Sequence, residues 1–308
     1  MALDPILERV RSVELELHSF CPKRCAFCVN SFLDRDRRTQ YLPDEIINDL
    51  IRDLVQIPNI RRMAFHRYNE PFINKMEAVK INSIIDKLKR HTNLIEYWAA
   101  TNLVFLSERN NYLRDCDLNF VTARRYDPED PGLTEIFSLV KIDSLYRESE
   151  TETILFLADG KIVFFEDVTE RYSGDLYDRG GSLPHLSTKP RIAPCNRTTI
   201  NIGIDFNGNV MPCPNMQSQV PSHAGHILGN LHEASLISIL KGGAAQAFFE
   251  ATAAQHLPQA CLRCQSKNIL RRFPTRPPWC TCGRSKNAPY CDGSHKGTEF
   301  RPWFDPGE

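Results

Sequence analysis

The chain carries no net charge. Its 308 residues include 38 Lys and Arg against 38 Asp and Glu, so no excess of basic side chains points to nucleic acid or an anionic membrane. It also lacks a run of about 18 apolar residues that would cross a bilayer. The opening stretch "MALDPILERVRSVELELHSF" is broken by acids and does not read as a signal peptide. There is no internal repeat, and secretion is not expected. The expected compartment is the cytoplasm, with neither nucleic acid nor membrane as partner. Against these absences stand eleven cysteines. Disulfides are disfavoured in a reducing compartment, so the thiols are expected to serve metal or redox chemistry. With 42% hydrophobic residues, the chain can bury one large core plus a smaller unit.

Ten of the eleven cysteines fall into three groups: Cys21, Cys25 and Cys28; then Cys195, Cys213, Cys261 and Cys264; then Cys280, Cys282 and Cys291, with His295 just beyond. Only Cys116 stands alone. The pattern between them reads as alternating strands and helices. "VELELHSF" alternates as a strand does, and the first cysteine loop follows it. "PDEIINDLIRDLVQ" and "KMEAVKINSIIDKLKRH" have helical spacing, separated by the strand "RRMAFHR". "LIEYWAAT", a helix near "SERNNYLRD", the strand "LNFVTA" and a helix in "LTEIFSLVKIDSLYRE" continue the series. Such alternation implies parallel β-α-β units in an open or closed α/β barrel, whose chemistry gathers at the C-terminal strand ends.

Beyond Thr151 the rhythm changes. "TILFLA" and "KIVFFE" read as a hairpin closed by Asp159-Gly160, and a connecting loop rich in Gly, Pro and Ser follows. A second hairpin turns at Asn207-Gly208, and Gly242-Gly243 is expected to break the helix after it. A linker with three prolines, "RRFPTRPPW", leads to a small loop-rich terminus. The expected divisions are a core over 1–150, a connecting hairpin and loop over 151–190, a cluster-binding unit over 191–270 and a terminal unit over 275–308.

Thiolates favour soft metals. A structural zinc site wants four closed ligands, and the first loop offers three cysteines, with His18 on the preceding strand. A [4Fe-4S] cluster held by three cysteines leaves one iron open to a small molecule. The spacing Cys21-x3-Cys25-x2-Cys28 after a first barrel strand, with Phe27 before the last cysteine, resembles the radical S-adenosylmethionine (SAM) enzymes. The resemblance implies a partial (β/α)6 barrel and SAM on the open iron. One electron from the cluster would split the sulfonium and give a 5′-deoxyadenosyl radical that takes hydrogen from a substrate. It implies that the backbone beside Phe27 contacts adenine. It makes "YNEP", Tyr68, Asn69, Glu70 and Pro71, the counterpart of a Gly-Gly-Glu-type segment near the SAM amine, with the glycines replaced. Thr101-Asn102 resembles a Thr-Asn-Gly segment, with Leu103 in the glycine's place. Arg124, or its neighbour Arg125, could hold a carboxylate or phosphate.

By itself the second group suits zinc and iron-sulfur equally. Its order, Cys-x12-Gly-x4-Cys and then Cys-x2-Cys, resembles the twitch domain, a short SPASM-type extension of radical SAM cores, and most of all that of aminoglycoside-type dehydrogenases. The resemblance implies one auxiliary [4Fe-4S] cluster on Cys195, Cys213, Cys261 and Cys264. "CTCGRSKNAPYCDGSH" resembles the CDGSH, mitoNEET-like domain. That resemblance implies a [2Fe-2S] cluster on Cys280, Cys282, Cys291 and His295, whose imidazole would raise its potential and make it pH-sensitive.

Outside these groups, Cys116 precedes a strand and is expected at the far end of the barrel. His66 ends a strand on the reactive side. Asp178, Arg179, Gly180 and Gly181 are expected in a loop over the site. The expected activity is an oxidoreductase acting on a small molecule of sugar, aminoglycoside or nucleoside type in natural-product biosynthesis, reduced by a flavodoxin or ferredoxin, with a homodimer left open. The short stretch before Cys21 disfavours a leader-binding segment. A ribosomal-peptide maturase is the alternative, and an iron-sulfur electron carrier without SAM chemistry is a third, of another class.

Overall fold

The computed structural model describes residues 5–33, 35, 38–90, 96–169, 178–183, 185–186, 191, 195, 201–254, 256–262 and 264. The third cysteine group, with the terminal unit expected around it, lies outside the described residues.

Among the described residues, ten strands form one open mixed sheet. In chain order they are β1 (Ser12–Leu15), β2 (Arg62–Ala64), β3 (Glu96–Thr101), β4 (Phe120–Arg125), β5 (Ile142–Arg147), β6 (Glu152–Leu157), β7 (Ile162–Asp167), β8 (Asn201–Ile204), β9 (Asn209–Met211) and β10 (Gly229–Asn230). Their order across the sheet is β10-β9-β8-β1-β2-β3-β4-β7-β6-β5. The middle, from β8 to β7, is parallel throughout, and antiparallel strands extend both edges. The helices are α1 (Asp44–Leu54), α2 (Lys75–Lys89), α3 (Tyr112–Asp115), α4 (Leu133–Leu139), α5 (Pro221–Ala224), α6 (Leu236–Lys241), α7 (Gly243–Ala253) and α8 (Gln259–Leu262), with one 3-10 turn at Val29–Phe32.

Alternation along the strands divides the side chains between two faces. Val13, Leu15, Met63, Tyr97, Ala99, Val121 and Val163 join Leu50 of α1 and Ile81 and Ile85 of α2 in the main core. Phe120, Ile162 and Phe164 face the other way, into a smaller cluster with Tyr146, Ile154, Phe156 and Trp98. Helix α1 follows Pro43, carries Asp44 and Glu45 in its first turn and Arg52 in its last, and buries Ile47, Leu50, Ile51 and Leu54. That arrangement satisfies both the dipole and the 3.6-residue period. Asn74 caps α2 by accepting the Met76 N–H.

Both hairpins form where expected, closing at Gly160 and Gly208 with φ of +88° and +79°. The second strand of the first hairpin lies inside the sheet, because β7 runs parallel to β4. Strand β8 likewise runs parallel to β1, so the hairpin leading to Cys213 is continuous with the strand leading to Cys21. The helix expected through "LTEIFSLVKIDSLYRE" ends at Leu139, and Ile142–Arg147 is strand β5. Pairing with β6 buries Ser144 and Tyr146 on one face, and tertiary contact overrides local propensity there. Helices α6 and α7 meet at Gly242, as the glycine pair predicts.

Candidate active site and iron-sulfur sites

The first cysteine loop leaves the C-terminal end of β1. Cys21, Cys25 and Cys28 are all half-buried, and the loop is held by its own backbone and by distant partners. The Cys28 N–H donates to the Cys25 carbonyl at 2.9 Å, and the Ser31 hydroxyl donates to the same oxygen at 2.7 Å. Lys23 pairs with Asp127 and, at 2.7 Å, with Asp130 beyond β4, and the Phe27 ring lies 5.6 Å from that of Tyr126. Burial, first of all, pushes Cys21 up to about 12 and Cys25 up to about 11. The thiols would need an added positive charge to ionise, as metal binding supplies.

Glu70 is 2% exposed. Its carboxylate accepts from the Thr101 hydroxyl and the Asn102 N–H, both at 2.7 Å, and from the Phe72 N–H at 3.2 Å. Burial raises its pKa to about 7 against these donors. The side chain therefore ties the segment after β2 to the end of β3. Asn102 extends its amide toward Cys21 Sγ at 3.7 Å. Leu103 adopts φ of +66°, the left-handed conformation that glycine takes most readily. A buried leucine thus holds a left-handed backbone at the position where the resemblance implied glycine.

Tyr68 and Arg67 reach in the opposite direction. The Tyr68 hydroxyl donates to the Pro214 carbonyl at 3.2 Å and Arg67 Nη2 to that of Met216 at 2.6 Å. Gly203 makes room for Arg67, since a Cβ there would lie 2.6 Å from the guanidinium carbon. Asn69 Oδ1 accepts from the Arg67 N–H at 3.2 Å. Pro71 is buried, and its carbonyl faces His18, which burial lowers to about 4. His18 Nδ1 accepts from the Phe20 N–H at 3.3 Å, so the ring is a neutral brace. A buried ion pair adds to the support: Arg35 meets Glu16 at 2.7 Å, donates to Asn30 Oδ1 at 2.9 Å and lies over the Phe206 ring.

His66 is half-buried and edge-on to Trp98 at 4.4 Å. Its Nδ1 accepts from the Ala100 N–H at 3.0 Å. Burial, with Arg124, Arg62 and Arg67 nearby, lowers it to about 3, so it is a neutral ring with its proton on Nε2. Arg124 pairs with Glu166 at 2.6 Å and Arg125 with Asp167 at 3.2 Å. Both arginines are therefore committed across β4 and β7. Cys116 is 1% exposed and packs in the main core before β4, at the end of the sheet opposite the cysteine loop.

In the second group, Cys213 and Cys261 are each 6% exposed, while Cys195 and Cys264 are half-buried. Burial pushes Cys261 up to about 12, and the charges of Cys195 and Cys264 act on it in the same direction. The three are therefore neighbours. Asn215 Nδ2 approaches Cys264 Sγ at 3.8 Å, and Arg191 Nη1 donates to the Cys264 carbonyl at 2.9 Å. Neither Arg191 nor Asn215 is signalled by a sequence motif.

Between the two cysteine sites lie residues 178–183 and 185–186. Leu183 packs with Val29, Tyr68 and Val220, against Cys28. His185 Nε2 meets the Ala26 carbonyl at 2.8 Å, and His223 Nε2 meets that of Gly180 at 2.9 Å. Gly180, with φ of +79°, sits where a Cβ would come within 2.6 Å of the Ala260 carbonyl, one residue before Cys261. The loop expected over the site is a wedge joining both.

This arrangement belongs to a known fold. Over 83% of this chain and 93% of the other, it overlays the crystal structure of BtrN in complex with AdoMet and 2-DOIA, with 18% identity and a TM-score of 0.62. A BtrN structure in an open conformation overlays over 83% and 92%, with 17% identity and a TM-score of 0.55. The fold is that of the radical SAM enzymes. Residues 195–265 match the family model for SPASM, an iron-sulfur cluster-binding domain, and residues 266–296 match the CDGSH-type iron-binding zinc finger. No curated protein sequence matches the chain.

The donors suit the groups these resemblances imply. Three thiols in one loop fit a [4Fe-4S] cluster with one open iron, and four thiols fit a closed one. Among the described residues, no three His, Cys, Asp or Glu side chains converge on a single ion; in a cluster, each thiolate binds a different iron.

Proposed function

We propose that the chain is a radical SAM oxidoreductase acting on a small hydroxylated molecule, with Cys21, Cys25 and Cys28 holding the catalytic cluster. The observation that carries this reading is a three-cysteine loop at the end of the first parallel strand of a radical SAM fold, joined to a segment that matches the SPASM model. With SAM bound, a [4Fe-4S] cluster supplies one-electron cleavage to a 5′-deoxyadenosyl radical. The chain's own residues would frame that chemistry. Glu70 fixes Thr101 and Asn102 beside Cys21, Tyr68 and Arg67 fasten the same segment to the residues after Cys213, and neutral His66 offers its Nε2 proton as a donor without adding charge. Half-buried Glu14, His66, Trp98, Arg124 and Glu166 give the inner face of the sheet a polar lining that suits hydroxyl groups, and BtrN, bound to AdoMet and 2-DOIA, supports a small substrate. The auxiliary and CDGSH sites would carry electrons.

Anaerobically reconstituted protein, given SAM and dithionite, should release 5′-deoxyadenosine. Cys28→Ala should reduce this to background while iron at the other sites remains. An electron carrier would release none in either form. A peptide maturase would release it but bind amino sugars and nucleosides no better than buffer does.

A further inference from the structure

We propose that Arg191 and Asn215 raise the reduction potential of the cluster held by Cys195, Cys213, Cys261 and Cys264. The inference rests on reading those four cysteines as cluster ligands, and it concerns two residues outside that ligand set. Both converge on one corner. Arg191 anchors its backbone N–H on the Leu262 carbonyl at 2.7 Å and its guanidinium on the Cys264 carbonyl at 2.9 Å, which holds a permanent positive charge against the Cys261–Cys264 turn. Asn215, two residues after Cys213, directs its amide at Cys264 Sγ at 3.8 Å.

Reduction adds one negative charge to a cluster. A fixed cation and an N–H donor to a ligating sulfur both stabilise the more negative state, and net charge and hydrogen bonds to sulfur are the levers by which a protein sets such potentials. Arginine suits the task because it stays protonated at any working pH. The first cysteine loop has a different setting. Asn102 provides an N–H toward Cys21, and the cation nearest in sequence, Lys23, is shared between Asp127 and Asp130. Arg191 and Asn215 both contact Cys264 of the second group, and the proposal assigns their effect to that cluster.

The test uses the full chain with Cys21, Cys25 and Cys28 all changed to Ala, reconstituted with iron and sulfide and titrated potentiometrically under EPR. The auxiliary signal is the one abolished by a further Cys264→Ala. Arg191→Gln should weaken reduction of that cluster about tenfold, or ~59 mV for a one-electron couple. Arg191→Lys should restore most of the loss, and Asn215→Ala should cost about threefold. Unchanged midpoints in both Arg191→Gln and Asn215→Ala would overturn the proposal. If Arg191→Gln alone fails to bind the cluster, the midpoint of Asn215→Ala decides the matter. Loss of the cluster in both variants would assign them a purely structural role and also overturn it. A parent protein with no iron attributable to these four cysteines removes the cluster reading itself, and this proposal with it.

Discussion

The two described cysteine sites are built in opposite ways. Cys21, Cys25 and Cys28 lie within one short irregular loop, all half-buried, and the loop depends on remote side chains to keep its shape: Lys23 to Asp127 and Asp130, His185 to Ala26, Asn102 toward Cys21. The second group draws on a hairpin, a short helix and a separate segment, and two of its four thiols, Cys213 and Cys261, are almost fully buried. On the proposed function the first site admits a small molecule and keeps an open side, its geometry fixed from outside, while the second is closed and enclosed by the fold. Gly180, Leu183 and His185 between them touch both, so a change in either has a physical route to the other.

Gly180→Ala should break the comparison most severely. The new Cβ meets the Ala260 carbonyl at 2.6 Å and His223 Nε2 at 3.3 Å, in a backbone with positive φ, and backbone cannot yield as a flexible side chain can. A loss of about 2–4 kcal/mol is expected from strain and overpacking, read by chemical denaturation. The auxiliary EPR signal should change before the catalytic one. Equal disturbance of both signals would show that the wedge acts as one rigid unit.

Glu70→Gln probes the other side. It removes an acceptor from buried donors and should cost about 1–3 kcal/mol. Burial raises Glu70 from its ordinary 4.5 to about 7, so between these values the native state retains a proton that the unfolded chain has released. Stability from this group therefore falls as pH rises from about 4.5 to about 7, and the Gln variant should lose that slope. Denaturation midpoints across the window check it, and an unchanged slope would mean that Glu70 stays ionised throughout. The opposite sign is expected from His18 and His66. Held neutral with pKa values of about 4 and about 3, they contribute stability above pH 6.5 that is lost as the solution is acidified.

Cys116→Ala should have the smallest effect. The residue packs in the main core away from both sites, so a loss of about 1 kcal/mol is expected for a small apolar truncation, with 5′-deoxyadenosine release unchanged. A loss of that activity would make Cys116 part of the chemistry and remove it as a neutral reference.

The first site was legible in the sequence because its three thiols are neighbours along the chain. The strand before them, both hairpins and the Gly242 break were equally legible, since turn chemistry and side-chain period are local properties. Strand β5 was read as helix because only its pairing with β6 makes it a strand. The roles of Glu16, Arg35, Arg191 and Asn215 had no local signal, because their partners lie far away in sequence. Leu103 shows the reverse: at the position where the resemblance implied a glycine, a leucine takes the positive φ that glycine adopts most readily.

The sequence by itself determined the number and kind of sulfur donors, the alternation of strand and helix, and the three groups into which the cysteines fall. These follow from residue type and spacing along the chain. Only the tertiary structure decided that β8 lies beside β1, that Glu70 turns toward Thr101 and Asn102, and that one glycine-rich segment joins two cysteine sites. Burial and pairing between distant residues set these features, and both exist only once the chain has closed on itself.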